Sequence, residues 1–103
     1  ARNGRDRISV LIMAAAVAPV AEEMIFRGYL YSVAKKYLGP FVALAGTSLL
    51  FALLHGHAAS LPALFTLAVC LGLAYEMSGS LLVPMIMHAV FNAFQLAVIL
   101  FLL

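Results

Sequence analysis

The fold is decided by residues 9–30, SVLIMAAAVAPVAEEMIFRGYL, an apolar run long enough to cross a membrane that also carries ionisable side chains. These side chains belong to Glu22, Glu23 and Arg27. A charge at the centre of a bilayer costs roughly 2.5–3.5 kcal/mol on insertion scales, so such residues persist where they pair, line a cavity or take part in chemistry. The run therefore predicts a transmembrane helix whose charged side chains lie within the membrane and have a function there.

The composition of the whole chain supports a membrane environment. Of its 103 residues, 66% are hydrophobic and 10% are charged, whereas soluble domains average about 45–50% and about 25%. We expect an integral membrane protein in contact with lipid. The net charge of +2 is too small to favour nucleic-acid binding. The basic clusters at residues 2–7 and 35–36 flank apolar runs as headgroup anchors do, and Tyr29, Tyr31 and Tyr37 predict an interfacial aromatic belt.

Helix-terminating signals divide the chain into four apolar segments. The signals are Gly39-Pro40, the loop after His55 and Ser78-Gly79-Ser80. The predicted segments are residues 8–38, 41–55, 62–75 and 81–103. Long apolar runs without alternation exclude barrel strands, and lipid admits only helices or closed barrels. The sequence thus predicts an all-α fold, a polytopic transmembrane bundle of about four helices.

The lengths of these segments add detail to that prediction. The first is longer than a bilayer requires, which predicts tilt or a kink at Pro19. The second and third are short for independent spans, so we expect them to be buried among other helices or to enter the membrane partway. We expect residues 1–103 to form a single domain that is the core of a longer membrane protein.

The spacing of the charges assigns them different roles. Glu23 and Arg27 are four residues apart with the acid first, which favours an ion pair on an α-helix. Glu22 lies about 100° around that helix and has no basic residue three or four positions later. We interpret Glu22 as the carboxylate that is left for proton transfer. In the alternative interpretation both glutamates share Arg27 and only hold helices together.

Two histidines lie in later apolar segments. His55 ends the second segment, and His88 precedes Asn92 by four residues in the fourth, so these two share a helix face. Counted at 1.5 Å per residue from the side of the paired lysines, Glu22 and His55 lie about 20 and 22 Å deep, and His88 and Asn92 about 10 and 16 Å. These depths predict that all four fit one internal cavity. His57 is interpreted as a solvated loop residue.

Three short motifs occur in order along the chain. Residues 22–27, EEMIFR, match E-E-x-x-x-R; residues 51–55, FALLH, match F-x-x-x-H; and residues 88–92, HAVFN, match H-x-x-x-N. Together they resemble the CPBP family of intramembrane proteases, which includes the type II CAAX prenyl endopeptidases and bacteriocin-processing or self-immunity proteins. The resemblance extends over about residues 16–94.

This resemblance implies an intramembrane endopeptidase, in a bacterial cytoplasmic membrane, that acts on peptides of the bacteriocin type or on prenylated proteins. It implies Glu22 as the general base that activates water, with His55 holding or polarising that water. His88 and Asn92 are implied as oxyanion donors. Glu23 and Arg27 are implied as structural support, and no cofactor is expected.

Two alternatives stay open at this point. Glu22, His55 and His88 form a ligand set that suits zinc with an open position for water, although the sequence lacks H-E-x-x-H. The other alternative is a non-catalytic membrane protein, such as an immunity factor, a scaffold or a proton relay, that uses the same buried polar groups for binding or transfer.

Overall fold

The structure, a computed structural model, describes residues 4–56 and 58–102. Arg2 of the first basic cluster and His57 lie outside the described residues. Within the described ranges all regular elements are helical and there is no strand, which confirms the all-α prediction. The elements in chain order are α1 (Gly4–Glu23), a π-helix (Met24–Tyr31), α2 (Ser32–Leu38), α3 (Pro40–Leu54), a 3₁₀ turn (Ala58–Ser60), α4 (Leu61–Ser78) and α5 (Leu82–Leu102).

Three continuous helical stretches are long and apolar enough to cross a membrane. They are Gly4–Leu38, Ala58–Ser78 and Leu82–Leu102, and Pro40–Leu54 is a shorter apolar helix. The expectation that the third predicted segment is too short to span is therefore wrong. The stretch is longer than predicted because the 3₁₀ turn Ala58–Ser60 leads into α4, and because α4 continues to Ser78, where Gly79 ends it.

Tight turns join the helices where the sequence supplies glycine. Gly39 ends α2 with φ of 85°, and its N–H bonds to the carbonyl of Lys35. Gly79 ends α4 with φ of 67°, and its N–H bonds to the carbonyl of Tyr75. A side chain at either position would be strained at such φ values, so glycine allows each helix to stop and the chain to reverse.

The helices pack against one another in a few pairwise contacts. α1 contacts α5, α3 contacts both α2 and α4, and α4 contacts α5. The π-helix contacts α3 and α4. The buried apolar core is small, and Phe26, Phe51 and Ala68 form it. Many large apolar side chains are exposed, including those of Phe41 and Phe101, as expected of helices that face lipid.

A polar link at one end of the bundle connects the first long helix to α4. Glu76 accepts hydrogen bonds of 2.6 Å from the hydroxyl of Tyr31 and from Nζ of Lys35. Tyr31 is 2% exposed, so its assignment to a lipid-facing aromatic belt is wrong, whereas Tyr29 and Tyr37 are exposed. The hydroxyl of Tyr31 has a partner across the helices, which explains why this tyrosine turns inward.

We predict that Tyr31→Phe lowers the melting temperature of the purified protein in detergent, because it removes a buried donor from Glu76. Tyr29→Phe is the matched control, since that ring is exposed, and it should melt as the wild type does. Equal melting of the two variants would show that the link does not stabilise the fold.

Candidate active site

The candidate site begins where the first long helix changes from α to π geometry. α1 ends at Glu23, and the eight residues Met24–Tyr31 that carry Arg27 form the π-helix. π-helical turns are rare and occur frequently at functional sites. At the return to α geometry the hydroxyl of Ser32 donates to the carbonyl of Arg27 at 3.0 Å, which satisfies an acceptor in the irregular turn. The sequence search missed this feature because it assumed α spacing throughout.

A buried polar network occupies the centre of the bundle. Glu23, Arg27 and His88 are 0%, 3% and 2% exposed. Oε2 of Glu23 accepts from Nη1 of Arg27 at 3.1 Å and from Nδ1 of His88 at 2.7 Å. Nη2 of Arg27 also donates to the main-chain carbonyl of Ala68 at 2.7 Å. The predicted ion pair of Glu23 and Arg27 is present, and it connects the first long helix to α4 and α5.

The ring of Phe51 lies beside this network and also contacts the ring of His55. The guanidinium carbon of Arg27 is 5.2 Å from the ring centroid, a cation–π distance. The ring of His88 lies 5.7 Å from that of Phe51, and the ring of His55 lies 4.7 Å from it. Phe51 is 1% exposed, so a buried aromatic ring is the common neighbour of the two histidines.

Glu22 stands at the edge of the network with its side chain 36% exposed. Its Oε1 lies 3.3 Å from Nε2 of His88. Glu22 therefore has a close partner in space, although it has no basic partner on its own helix. That partner, His88, lies on α5, so the spacing along one helix could not indicate it.

The hydrogen bonds of His88 constrain where the protons are. Its Nδ1 faces an ionised carboxylate and therefore carries hydrogen, so a neutral ring would present a lone pair at Nε2 to Glu22. The contact is attractive only when one proton lies on either His88 or Glu22. In both arrangements the four groups Glu22, Glu23, Arg27 and His88 sum to zero charge, as a low-dielectric interior requires. A hydrogen bond between Glu22 and His88 therefore requires that the two groups hold one proton between them.

His55 caps the end of α3, and its Nδ1 lies 2.7 Å from the carbonyl oxygen of Phe51. A carbonyl only accepts, so Nδ1 carries the hydrogen and Nε2 of the neutral ring is an acceptor. His55 lines a cavity of about 280 Å³ with Ser60, Ala63, Leu64, Phe91 and Gln95. That Glu22, His55, His88 and Asn92 share one cavity stays a prediction.

Asn92 lies one turn after His88 on α5 and is half-buried. Its carboxamide makes no side-chain hydrogen bond to the parts of the chain that the structure describes, so it is available to a ligand. The sequence search did not consider Gln95, three residues further on. A signal was present, because His88, Asn92 and Gln95 are spaced i, i+4 and i+7 and so share one helix face.

The three residues named in the zinc alternative are not grouped together. Across residues 4–56 and 58–102, no three histidine, cysteine, aspartate or glutamate side chains are grouped so that they could hold a metal ion. Glu22 and His88 are adjacent, but His55 does not join them in such a group. This arrangement therefore offers the zinc alternative no set of three ligands.

Removal of Arg27 should destabilise the fold strongly, because it leaves Glu23 buried without its cation. We predict that Arg27→Met costs about 3–5 kcal/mol of unfolding free energy, the usual penalty for breaking a buried pair from one side. Denaturant titration in detergent measures it. Combining Arg27→Met with Glu23→Gln should recover part of the loss, and additive losses in the double variant would contradict a direct pair.

Comparison of the sequence with known proteins places this chain in a family. The sequence model of the family described as "Type II CAAX prenyl endopeptidase Rce1-like" matches residues 4–94, which is most of the chain and includes all three motifs. Comparison with curated proteins and with solved structures found no match. With its three long apolar helices, the chain is an integral membrane protein. It belongs to the Rce1-like family of type II CAAX prenyl endopeptidases.

Proposed function

We propose that this protein is an intramembrane endopeptidase that hydrolyses a peptide bond with water activated by Glu22, and that it needs no cofactor. Membership of a family of CAAX-type intramembrane proteases supports this at the level of reaction class. The observation that carries the proposal is the contact between Glu22 and His88. Glu22 is the one member of the charged network that is substantially exposed, and its partner can hold the proton that Glu22 must lack when it acts as a base.

The first step uses Glu22 as the general base. With the shared proton on His88, Glu22 is ionised and its exposed oxygen can accept a hydrogen bond from water. As the water oxygen attacks the carbonyl carbon of the substrate, its proton passes to the Glu22 carboxylate. Glu23 and Arg27 do not exchange protons in this scheme. Their ion pair keeps the His88 ring in place through the 2.7 Å bond to Nδ1.

The second step stabilises and then collapses the tetrahedral intermediate. Protonated His88 offers its Nε2–H, and Asn92 offers its carboxamide N–H from the next turn of α5. These donors stabilise the charge on the former carbonyl oxygen, a contribution of about 2.7–4 kcal/mol for a well-placed donor. Glu22 then returns its proton to the leaving nitrogen as the C–N bond breaks. The products are a carboxylic acid and an amine, and the charges on the protein are restored.

His55 serves this reaction as an acceptor. Its Nε2 is an acceptor in the neutral tautomer that the Phe51 carbonyl selects, which suits a residue that holds water by accepting one of its hydrogens. Because this nitrogen cannot donate in that tautomer, we assign His55 to positioning the incoming water and not to stabilising the oxyanion.

An apolar groove favours a prenylated substrate over an unmodified peptide. Residues of α4 and α5 enclose a groove of about 510 Å³ whose lining is entirely apolar: Leu67, Ile86, Met87, Val90, Phe91 and Phe94. Phe91 also lines the cavity that contains His55. A lipid chain attached to the substrate could therefore lie in the groove while the peptide enters the polar site. A prenylated CAAX protein is accordingly the substrate class that we propose.

Glu22→Gln should abolish cleavage while the protein stays folded, because glutamine keeps the shape but cannot take the proton. A prenylated CAAX peptide, with the unprenylated peptide alongside, is the substrate to use with the full-length protein reconstituted in liposomes. Glu76→Gln is the matched control, since Glu76 lies outside the site, and it should cleave at temperatures below its own melting point. A fully active Glu22→Gln enzyme would remove Glu22 from the mechanism.

Prolonged chelation should leave the activity intact, because the proposed chemistry uses only side chains and water. The assay compares enzyme dialysed against a strong chelator with untreated enzyme, and elemental analysis measures the metal content of both. Loss of turnover, with recovery on stoichiometric Zn²⁺ and about one metal per chain, would establish the zinc alternative. A non-catalytic membrane protein would instead show no cleavage before or after chelation.

A further inference from the structure

Gln95 is a polar side chain on the apolar helix α5 that the reaction scheme above does not use. It is exposed and lines the cavity that contains His55. Its carboxamide has no hydrogen-bond partner among residues 4–56 and 58–102. An amide group within an apolar span is costly unless it meets a polar partner or a cavity, so its position beside the cavity of His55 calls for a ligand with complementary groups.

The chemistry of that cavity matches the main chain of a peptide. The carboxamide of Gln95 has both a donor and an acceptor, which is the complement of one peptide unit. The hydroxyl of Ser60, which lines the same cavity, can donate or accept a hydrogen bond. Ala63 and Leu64 form apolar walls on the α4 side. At about 280 Å³ the cavity suits one or two residues of extended chain.

The distance from the reacting groups gives the register of that chain. Gln95 is seven residues after His88 on α5, which is about 10.5 Å along the helix axis at 1.5 Å per residue. An extended peptide advances about 3.3–3.6 Å per residue, so about three residues cover the same distance. Asn92 lies between the two positions on the same face, which makes the path from His88 to Gln95 a continuous line of polar side chains.

We propose that Gln95, with Ser60, forms a subsite that binds the substrate main chain about three residues from the bond that is hydrolysed. This inference rests on the proposed endopeptidase function. Gln95 pairs with the N–H and C=O of that peptide unit and so determines which peptide bond of the substrate lies beside Glu22. Because it lies away from the reacting atoms, it contributes to binding in the ground state and the transition state equally, and hence to KM.

The test compares Gln95→Met with Leu100→Met on the full-length protein in liposomes. Methionine keeps the length of glutamine without its hydrogen bonds, and Leu100 is an exposed residue on a different face of α5. We expect Gln95→Met to raise KM about tenfold with kcat within about twofold of wild type, because it removes hydrogen bonds only. Leu100→Met and wild type should be alike, and all three should melt at the same temperature. An unchanged KM, or a loss confined to kcat, would overturn the subsite.

The register is tested with prenylated CAAX peptides that carry single N-methyl amides. One N-methyl group is placed in turn at each of three positions on either side of the cleaved bond. The KM of the wild type should rise about tenfold when the N-methyl group is at the third position on one side. The KM of Gln95→Met should not respond to that change. Equal responses of the two enzymes at every position would overturn the proposed pairing.

A binding measurement separates the failure of this inference from the failure of the proposed reaction. Equilibrium binding of the prenylated peptide is measured to Glu22→Gln and to Glu22→Gln combined with Gln95→Met, neither of which needs to cleave it. About tenfold weaker binding in the double variant supports the subsite even if Glu22 has another role. Equal binding to the two proteins overturns the subsite and leaves the proposed hydrolysis standing on its own test.

Discussion

One buried carboxylate, that of Glu23, organises the interior of this bundle. Its Oε2 accepts hydrogen bonds from Arg27 on the same helix and from His88 on α5, and Arg27 continues the network to the main chain of α4. In a chain whose apolar side chains are mostly turned towards lipid, the hydrophobic effect gives the helices little reason to prefer one another. Directional polar contacts therefore decide which helices meet and at what depth.

This arrangement also explains why two adjacent glutamates have different environments. Glu23 is fully buried and has two cationic or hydrogen-donating partners. Glu22 is partly exposed, and its Oε1 lies 3.3 Å from the other ring nitrogen of the same histidine. His88 thus links a buried structural carboxylate to the carboxylate that exchanges a proton in the proposed mechanism.

Helix existence, the ion pair of Glu23 with Arg27 and the family could all be predicted from the sequence, because each depends on short-range spacing or composition. The contact of Glu22 with His88 could not, since it depends on how α5 packs against α1. The contacts of Phe51 with both His55 and His88 could not be predicted either, since counting residues along separate helices gives no side-chain contacts between them. Tyr31 was misassigned for a similar reason, because its partner Glu76 is 45 residues away.

The π-helix has a consequence for how this protein can change over evolution. Each extra residue in a helical turn rotates everything after it by about 100° relative to an α-helix. Deleting one residue within Met24–Tyr31 would restore ordinary geometry locally, but it would swing Lys35 away from Glu76 and turn Arg27 relative to Ala68. Single substitutions in this segment keep the register of the helix and can therefore be tolerated one at a time. An insertion or deletion changes the register, so it would require two other helices to shift together.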